Sequence, residues 1–178
     1  MNIPDSELFS TASAMLIDGA EGPDDILARL TPLQRDLISM QQLLLEGKLA
    51  EAVTISEELL SRSRSTSERD TEAEVRIRIE RALLAADGND KSGIELRWCT
   101  DRLNAMMPGS SLHGISMLNL AAWHANNGEI MMSLAVHSDI SKNSGHPPEI
   151  RGLSRIEVAR MLAALSDFDP AMRHLWTA

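Results

Sequence analysis

Residues 31–60 read TPLQRDLISMQQLLLEGKLAEAVTISEELL, and this stretch decides the fold class. Its first four residues, TPLQ, have the spacing of a helix start: a capping threonine, a proline at the first helical position and a glutamine at the third. The apolar residues that follow recur at steps of four and three, which is one face of a helix. Gly47 interrupts this face, and a second one begins at Leu49. The stretch predicts an antiparallel helical hairpin with a short turn.

The same arrangement of caps, apolar faces and breaks recurs towards the C-terminus. Residues 65–68 (STSE) have the pattern of a capping box and predict a helix running to about Ala86. Residues 75–79 alternate like a strand, but they continue into ALLAA, so we expect a helix there as well. Further breaks are expected at residues 87–90, 107–110, 127–128 and 144–148, and Asp169-Pro170 is expected to open the last helix.

Composition favours an all-α protein and argues against several classes of partner. Aromatic residues make up only 3%, while leucine, alanine and methionine, which are good helix formers, are common. The net charge of −9 argues against nucleic acid, and residues 1–60, with 11 acids and 3 bases, would suit a basic partner. A single cysteine, an acidic start and the lack of a long apolar run predict a cytoplasmic protein without a membrane span.

The breaks repeat with a nearly constant period. The turn residues are Gly47, Gly88, Gly128 and Ser166, at spacings of 41, 40 and 38. Five residues after each turn lies a small side chain, and these residues are Ala52, Gly93, Ser133 and Ala171. A small residue at that place lets two helix backbones approach closely, and a fixed period of this size is typical of a solenoid.

This pattern resembles the tetratricopeptide repeat family, with the third unit as the best match (Met117, Leu120, Ala121, His124, Gly128, Ile130 and Ser133). The resemblance implies an α-solenoid of about four hairpins over residues 32–178, preceded by a helical cap formed by two short helices in residues 1–31. The second unit departs from the motif at Glu80, Arg81 and Asp90. HEAT- or armadillo-like repeats, whose period is longer, and an irregular helical bundle remain alternatives.

In tetratricopeptide repeats the first helix of each hairpin lines a concave groove that binds peptides. The resemblance therefore implies a scaffold or adaptor that binds a protein or peptide segment through groove residues. We expect these to be Gln34, Leu37, Gln41, Arg78, Asn119, Asn126 and Arg160, with Leu45, Ala82 and Ile156 beside them. The alternative is a regulatory module that binds a small molecule in the same groove.

No motif for catalysis, cofactor binding or metal binding is found, so we expect no enzyme activity, cofactor or metal. His113, His124 and His137 could form a metal cluster, but two of them occupy packing positions of the repeat. Cys99 lies on an apolar face and is expected to be buried. The tryptophans are expected to fill the core, and the arginine-rich run between residues 62 and 81 to form a salt-bridged helix face.

Overall fold

The computed structural model describes residues 5–17, 24–84 and 90–178. Every regular element in these ranges is an α-helix, which confirms the all-α class. The helices are α1 (Asp5–Ile17), α2 (Asp24–Arg29), α3 (Pro32–Leu45), α4 (Leu49–Ser63), α5 (Thr71–Leu84), α6 (Asp90–Met106), α7 (Ser111–Asn126), α8 (Ile130–Lys142), α9 (Pro148–Ala164) and α10 (Phe168–Trp176). Within the described ranges, no helix combines the length and the apolar character needed to cross a bilayer.

The chain divides into two compact units, and the first is Met1–Leu84. Here α3 packs against α1, α4 and α5 around one hydrophobic core. The two short helices expected as a cap are present as α1 and α2, and their side chains belong to this core. Its buried members are Leu8, Phe9, Ala12, Ile26, Leu30, Leu33, Leu37, Ile38, Met40, Ala52, Leu59, Ala73 and Ile77.

In the first unit, one of the two predicted capping boxes is present and the other is not. Thr31 and Gln34 form the expected capping box: each side chain accepts a hydrogen bond from the backbone N–H of the other, at 3.2 and 3.1 Å. The capping box expected at residues 65–68 is wrong. There Ser65 caps only a turn, and Asp70 accepts from the N–H of Ala73 at 3.0 Å to start α5. Asp70 adds a negative charge to its capping oxygen, and the positive end of the helix dipole favours that charge.

The alternating segment 75–79 lies within α5, as expected. Ala73, Val75, Ile77 and Ile79 are all buried, so this helix is buried on two faces rather than one. Residues two apart on a helix point in nearly opposite directions, which explains how a strand-like pattern can belong to a helix buried on two faces.

The second unit, Ala85–Ala178, consists of helices that pack in chain order. Each of α6, α7, α8 and α9 contacts the next helix, and α7 also contacts α9 directly. The first helices of two successive hairpins, α7 and α9, are therefore neighbours in this unit, and α8 packs against both. The start expected at Asp169 is wrong by two residues. Asp167 is the N-cap, α10 begins at Phe168, and Asp169 lies in its first turn.

Three of the expected turns have the same backbone geometry. Gly47, Gly128 and Ser166 adopt left-handed φ values of 75, 76 and 63°. In each turn the N–H of this residue bonds to the carbonyl three residues earlier, and the next N–H bonds to the carbonyl five residues before it. These paired bonds satisfy the free carbonyls at a helix end. The sequence correctly equated Ser166 with the turn glycines, whereas Gly88 lies outside the described residues.

The four small side chains five residues after the turns are all buried. Ala52 and Ser133 have no exposed surface, and Ala171 is 4% exposed. At Gly93 on α6, a methyl group would lie 2.5 Å from the indole of Trp123 on α7. The sequence predicted an approach between the two helices of one hairpin, whereas the contact seen at Gly93 is between α6 and the indole of the following helix, α7.

Replacing Ser166 with glycine should raise the free energy of unfolding by up to about 1 kcal/mol, because a left-handed conformation is strained for residues with a Cβ. The reverse change, Gly128→Ala, should lower it by about 1 kcal/mol, since no atom lies within 4 Å of the added methyl group and only the backbone is strained. Thermal unfolding followed by circular dichroism checks both changes. A loss of stability in Ser166→Gly would contradict the shared turn geometry.

Candidate protein-binding surface

Two of the expected groove residues, Gln34 and Gln41, form hydrogen bonds within the first unit. Gln34 donates to a carboxylate oxygen of Asp70 at 3.2 Å. Gln41 accepts from the hydroxyl of Ser13 at 2.9 Å and donates to Glu80 at 3.4 Å, which links α3 to α1 and to α5. Burial raises the pKa of Glu80, and the hydrogen bond from Gln41 opposes this rise. Both glutamines hold neighbouring helices together.

The expectation for Leu37 is corrected by its position. Its side chain is completely buried in the hydrophobic core of the first unit. It therefore presents no surface to a partner. The resemblance placed Leu37 on the groove side of α3, but α1, α4 and α5 all pack against this helix, and Leu37 lies on the side that they cover.

Arg78 is half-buried and paired within its own helix. Its guanidinium lies 2.9 Å from Glu74, at the expected i,i+4 spacing, and both side chains are only 15% exposed. The neighbouring Arg76 pairs with Glu72 at 2.8 Å and lies 4.6 Å over the ring of Phe9. The expected salt-bridged face is thus confirmed for these two pairs.

Arg62 belongs to the same arginine-rich run and joins three segments of the first unit. It lies 2.7 Å from Asp36 of α3 and 2.7 Å from Glu68 of the loop after α4. The hydrogen bond to Glu68, and then that to Asp36, raise the pKa of Arg62, so its charge is fixed at any ordinary pH. This arginine acts as a structural tie.

The other three expected groove residues lie on the second unit and are more accessible. Asn119 is half-buried, while Asn126 and Arg160 are exposed, and Arg160 pairs with Glu157 at 2.9 Å. On α7 and α9 they alternate with exposed apolar side chains: Ile115 is 43%, Leu153 52% and Ile156 39% exposed. We define the α7–α9 face as Ile115, Asn119, Ala122 and Asn126 of α7 together with Leu153, Ile156 and Arg160 of α9.

The α7–α9 face combines two kinds of contact. The spacing of 4, 3 and 4 residues in α7, and of 3 and 4 in α9, places each set on one side of its helix. Its apolar side chains lose contact with water when a partner binds, which favours binding. Its amides and guanidinium can form hydrogen bonds with a peptide backbone. Chemically, this surface can hold a polypeptide segment.

The three histidines considered as a metal cluster have separate partners. His113 accepts a hydrogen bond from the N–H of Gly109 at 3.1 Å, and His124 lies about 16 Å along the same helix, given a rise of 1.5 Å per residue. His124 pairs with Glu129 at 2.5 Å across the turn. Among the residues that the structure describes, no group of three or more histidine, cysteine or carboxylate side chains could hold a metal ion.

His137 joins α8 to α9. The hydroxyl of Ser154 donates to the carbonyl of His137 at 3.0 Å, so it accepts from the Nδ1–H of the same histidine at 3.1 Å. Burial lowers the pKa of His137, and the charge of Glu157 opposes this shift. The ring is therefore neutral at pH 7 and serves packing between the two helices.

A fourth histidine, His146, was missed because the sequence placed it in a loop. It is 1% exposed, and its ring centre lies 5.0 Å from that of His113. In the part of the chain that the structure describes, neither of its ring nitrogens has a hydrogen-bond partner. Burial, and then the nearby His146, lower the pKa of His113. The one local signal is the pair Pro147-Pro148 directly after it, at which α9 begins.

A shallow cleft of about 440 Å³ lies between α6 and α7. Its lining includes Trp98 and Trp123, with Arg97 and Asp101 as the charged groups. Cys99, one residue away in sequence, points into the core and has no exposed surface, as expected. This cleft, lined mainly by α6, lies apart from the groove in which the small-molecule alternative placed its ligand.

The expectation that all three tryptophans fill the core is wrong for Trp176. Its side chain is 84% exposed, and Trp98 is 38% exposed. Charged residues stand close to both in the sequence, Arg97 and Asp101 near Trp98 and Arg173 near Trp176, and these were the available sign of exposure. Comparison of the chain with protein-family models, with curated proteins and with solved structures gave no match.

Proposed function

We propose that the protein is an interaction module that binds a segment of another protein on the α7–α9 face. The observation that carries this proposal is the row of exposed isoleucine and leucine side chains beside Asn119, Asn126 and Arg160. Recognition of an extended or helical peptide uses such a mixture, in which apolar side chains supply area and polar groups fix register. The contact between α7 and α9 supports it further, since it places the two helices side by side.

The fold assignment that accompanies this proposal is a repeat of helical hairpins similar to tetratricopeptide repeats. It is supported by the three turns with equal geometry and by the buried small residue five positions after each. In such repeats, a rigid stack presents its first helices to the partner. The α7–α9 face belongs to two such first helices.

The proposed binding surface includes fewer of the groove residues than the sequence predicted. Gln34 and Gln41 are used within the first unit, and Leu37 is buried, so the binding surface is assigned to the second unit alone. The acidic residues 1–60 remain a candidate for attracting a basic partner, because charge of one sign speeds the encounter with the opposite sign.

Site-specific photo-crosslinking tests this function. A photoreactive phenylalanine analogue at Ile115 or Ile156 should give discrete adducts with one partner protein in cells, because these apolar side chains are exposed on the face. The matched control is the same analogue at Met131 of α8, an apolar side chain that is 77% exposed outside the face. Equal adducts at all three positions, or none at Ile115 and Ile156, would exclude the α7–α9 face.

A quantitative arm separates this function from the small-molecule alternative. Ile156→Glu should weaken binding of the captured segment by about tenfold or more, since one buried anchor residue contributes at least 1–2 kcal/mol. Asp101→Asn in the cleft should leave that affinity unchanged. A metabolite that raises the melting temperature of the protein, with the effect removed by Asp101→Asn, would favour the alternative.

A further inference from the structure

The last helix, α10, exposes a row of large apolar side chains. Phe168 is 62%, Met172 52%, Leu175 48% and Trp176 84% exposed. Their spacing of four, three and one residues places them on one side of the helix. Ala171, one turn before Leu175, marks the edge of this side and is buried where α10 packs against α9. We call these four residues the α10 row.

In the earlier hairpins, the corresponding side of the second helix contacts the next helix. The residue nine positions after Gly47 is Ser56 of α4, which accepts a hydrogen bond from Arg81 of α5 at 3.1 Å. The residue nine positions after Gly128 is His137, which bonds to Ser154 of α9. The residue nine positions after Ser166 is Leu175, in the α10 row, where the side chain is about half exposed.

The α10 row therefore has the position of a helix-packing surface. Its chemistry differs from that of the two earlier surfaces, which use Ser56 and His137 at this place and satisfy them with specific hydrogen bonds. Here the equivalent residue is Leu175, with Phe168, Met172 and Trp176 around it. An apolar row requires an apolar occupant, because a polar partner would leave its own groups unsatisfied.

We propose that the occupant is α10 of a second copy of this chain, in an antiparallel pair with Met172 on the two-fold axis. Phe168 and Trp176 lie four residues before and four residues after Met172. In an antiparallel pair that crosses at Met172, Phe168 of each copy faces Trp176 of the other. The row is thus complementary to itself, which is the requirement for a symmetric dimer contact.

The area available is sufficient for a dimer. Leu165, the residue that ends α9 shortly before α10, is 61% exposed. With it, the exposed fractions amount to about three whole side chains, or about 600 Å² per copy if a large side chain is taken as roughly 200 Å². Two copies would bury about 1,200 Å² in total, which exceeds the roughly 1,000 Å² that a specific interface needs. The two aromatic pairs and the central methionine contact add directional preference.

Sedimentation velocity of the full chain tests the proposal. Between about 1 and 100 µM the protein should pass from monomer towards twice its 19.5 kDa mass, as mass action requires. Met172→Glu should remain monomeric, since it places two like charges at the axis. The matched control Met131→Glu, at an exposed methionine on α8, should still dimerise. Unchanged helix content by circular dichroism verifies that both variants fold.

A cross-link gives the arrangement independently. Met172→Cys should form an interchain disulfide under mild oxidation because a residue on a two-fold axis meets its own copy. Met131→Cys should not, and Cys99 does not compete because it is fully buried. If the wild-type chain stays monomeric up to about 100 µM, the α10 row does not bind a second copy, and the proposal is overturned. A dimer that survives Met172→Glu, or that Met172→Cys fails to cross-link, also overturns it.

The α10 row shares no residue with the α7–α9 face, so the two proposals fail separately. The molecular mass and the Met172 cross-link test only self-association, whereas the photo-crosslinks at Ile115 and Ile156 test only partner capture.

Discussion

Leu37→Ala should lower the free energy of unfolding by about 2–5 kcal/mol, the range for a leucine deleted from a packed core. Leu37 has no exposed surface and lies in the cluster that includes Leu33, Met40 and Ile77. Its truncation removes transfer free energy and leaves a cavity between helices that cannot fully close. Urea unfolding followed by circular dichroism measures the effect.

The control for this prediction is Leu45→Ala in the same helix, since Leu45 is 57% exposed. Its effect should stay within about 0.5 kcal/mol, as for most surface substitutions. All three tryptophans lie in residues 85–178, so tryptophan fluorescence follows the second unit alone. If Leu37→Ala is as stable as Leu45→Ala but no longer binds the partner, Leu37 belongs to the binding surface. This result would contradict its burial.

Gly114→Ala should lower the free energy of unfolding by about 1–3 kcal/mol, the usual cost of adding a methyl group to a filled site. The new methyl would lie 2.5 Å from Cγ2 of Ile150 and 3.2 Å from Nδ1 of His146. Both neighbours are buried, and a β-branched isoleucine has little rotamer freedom with which to move away. In a helix with open space at this position, the same change would raise the free energy of unfolding by about 1 kcal/mol. The sign of the measured change therefore shows whether α7 and α9 are in close contact at Gly114.

Gly152→Ala in α9 provides the matched control. Its added methyl would approach only the carbonyl group of Ala178, at 3.1 Å, and this group lies beyond the last helix, where it can shift. We expect a change between zero and a gain of about 1 kcal/mol. Equal gains for Gly114→Ala and Gly152→Ala, measured by thermal unfolding, would mean that α7 and α9 do not approach closely at Gly114.

The features that the sequence predicted well are local or depend on small size. The turn that ends each of these helices needs a residue in the left-handed conformation, whatever packs around it. Gly47, Gly128 and even Ser166 could therefore be recognised from their spacing. The capping box at Thr31 is similarly decided by four consecutive residues. The buried small residues followed from the same spacing, because only a small side chain fits where two backbones approach.

The features that the sequence did not predict depend on how the helices pack against one another. Leu37 and Gln34 lie on one helix, and nothing in α3 alone says that α1 and α5 would enclose it. Asp70 replaced Ser65 as a cap because the loop between α4 and α5 extends for several residues after Ser63. Trp176 is exposed because α10 has a described neighbour, α9, on only one side.

Close packing of successive helices through small residues after each turn is the central claim, and the contact between Gly93 and Trp123 tests it most directly. Nuclear Overhauser effects in the protein labelled at glycine should connect both Hα protons of Gly93 to the outer ring protons of Trp123. The ring current of the indole should also move those Hα resonances well upfield. Ordinary glycine shifts for Gly93, without any Overhauser effect to the indole, would contradict the claim.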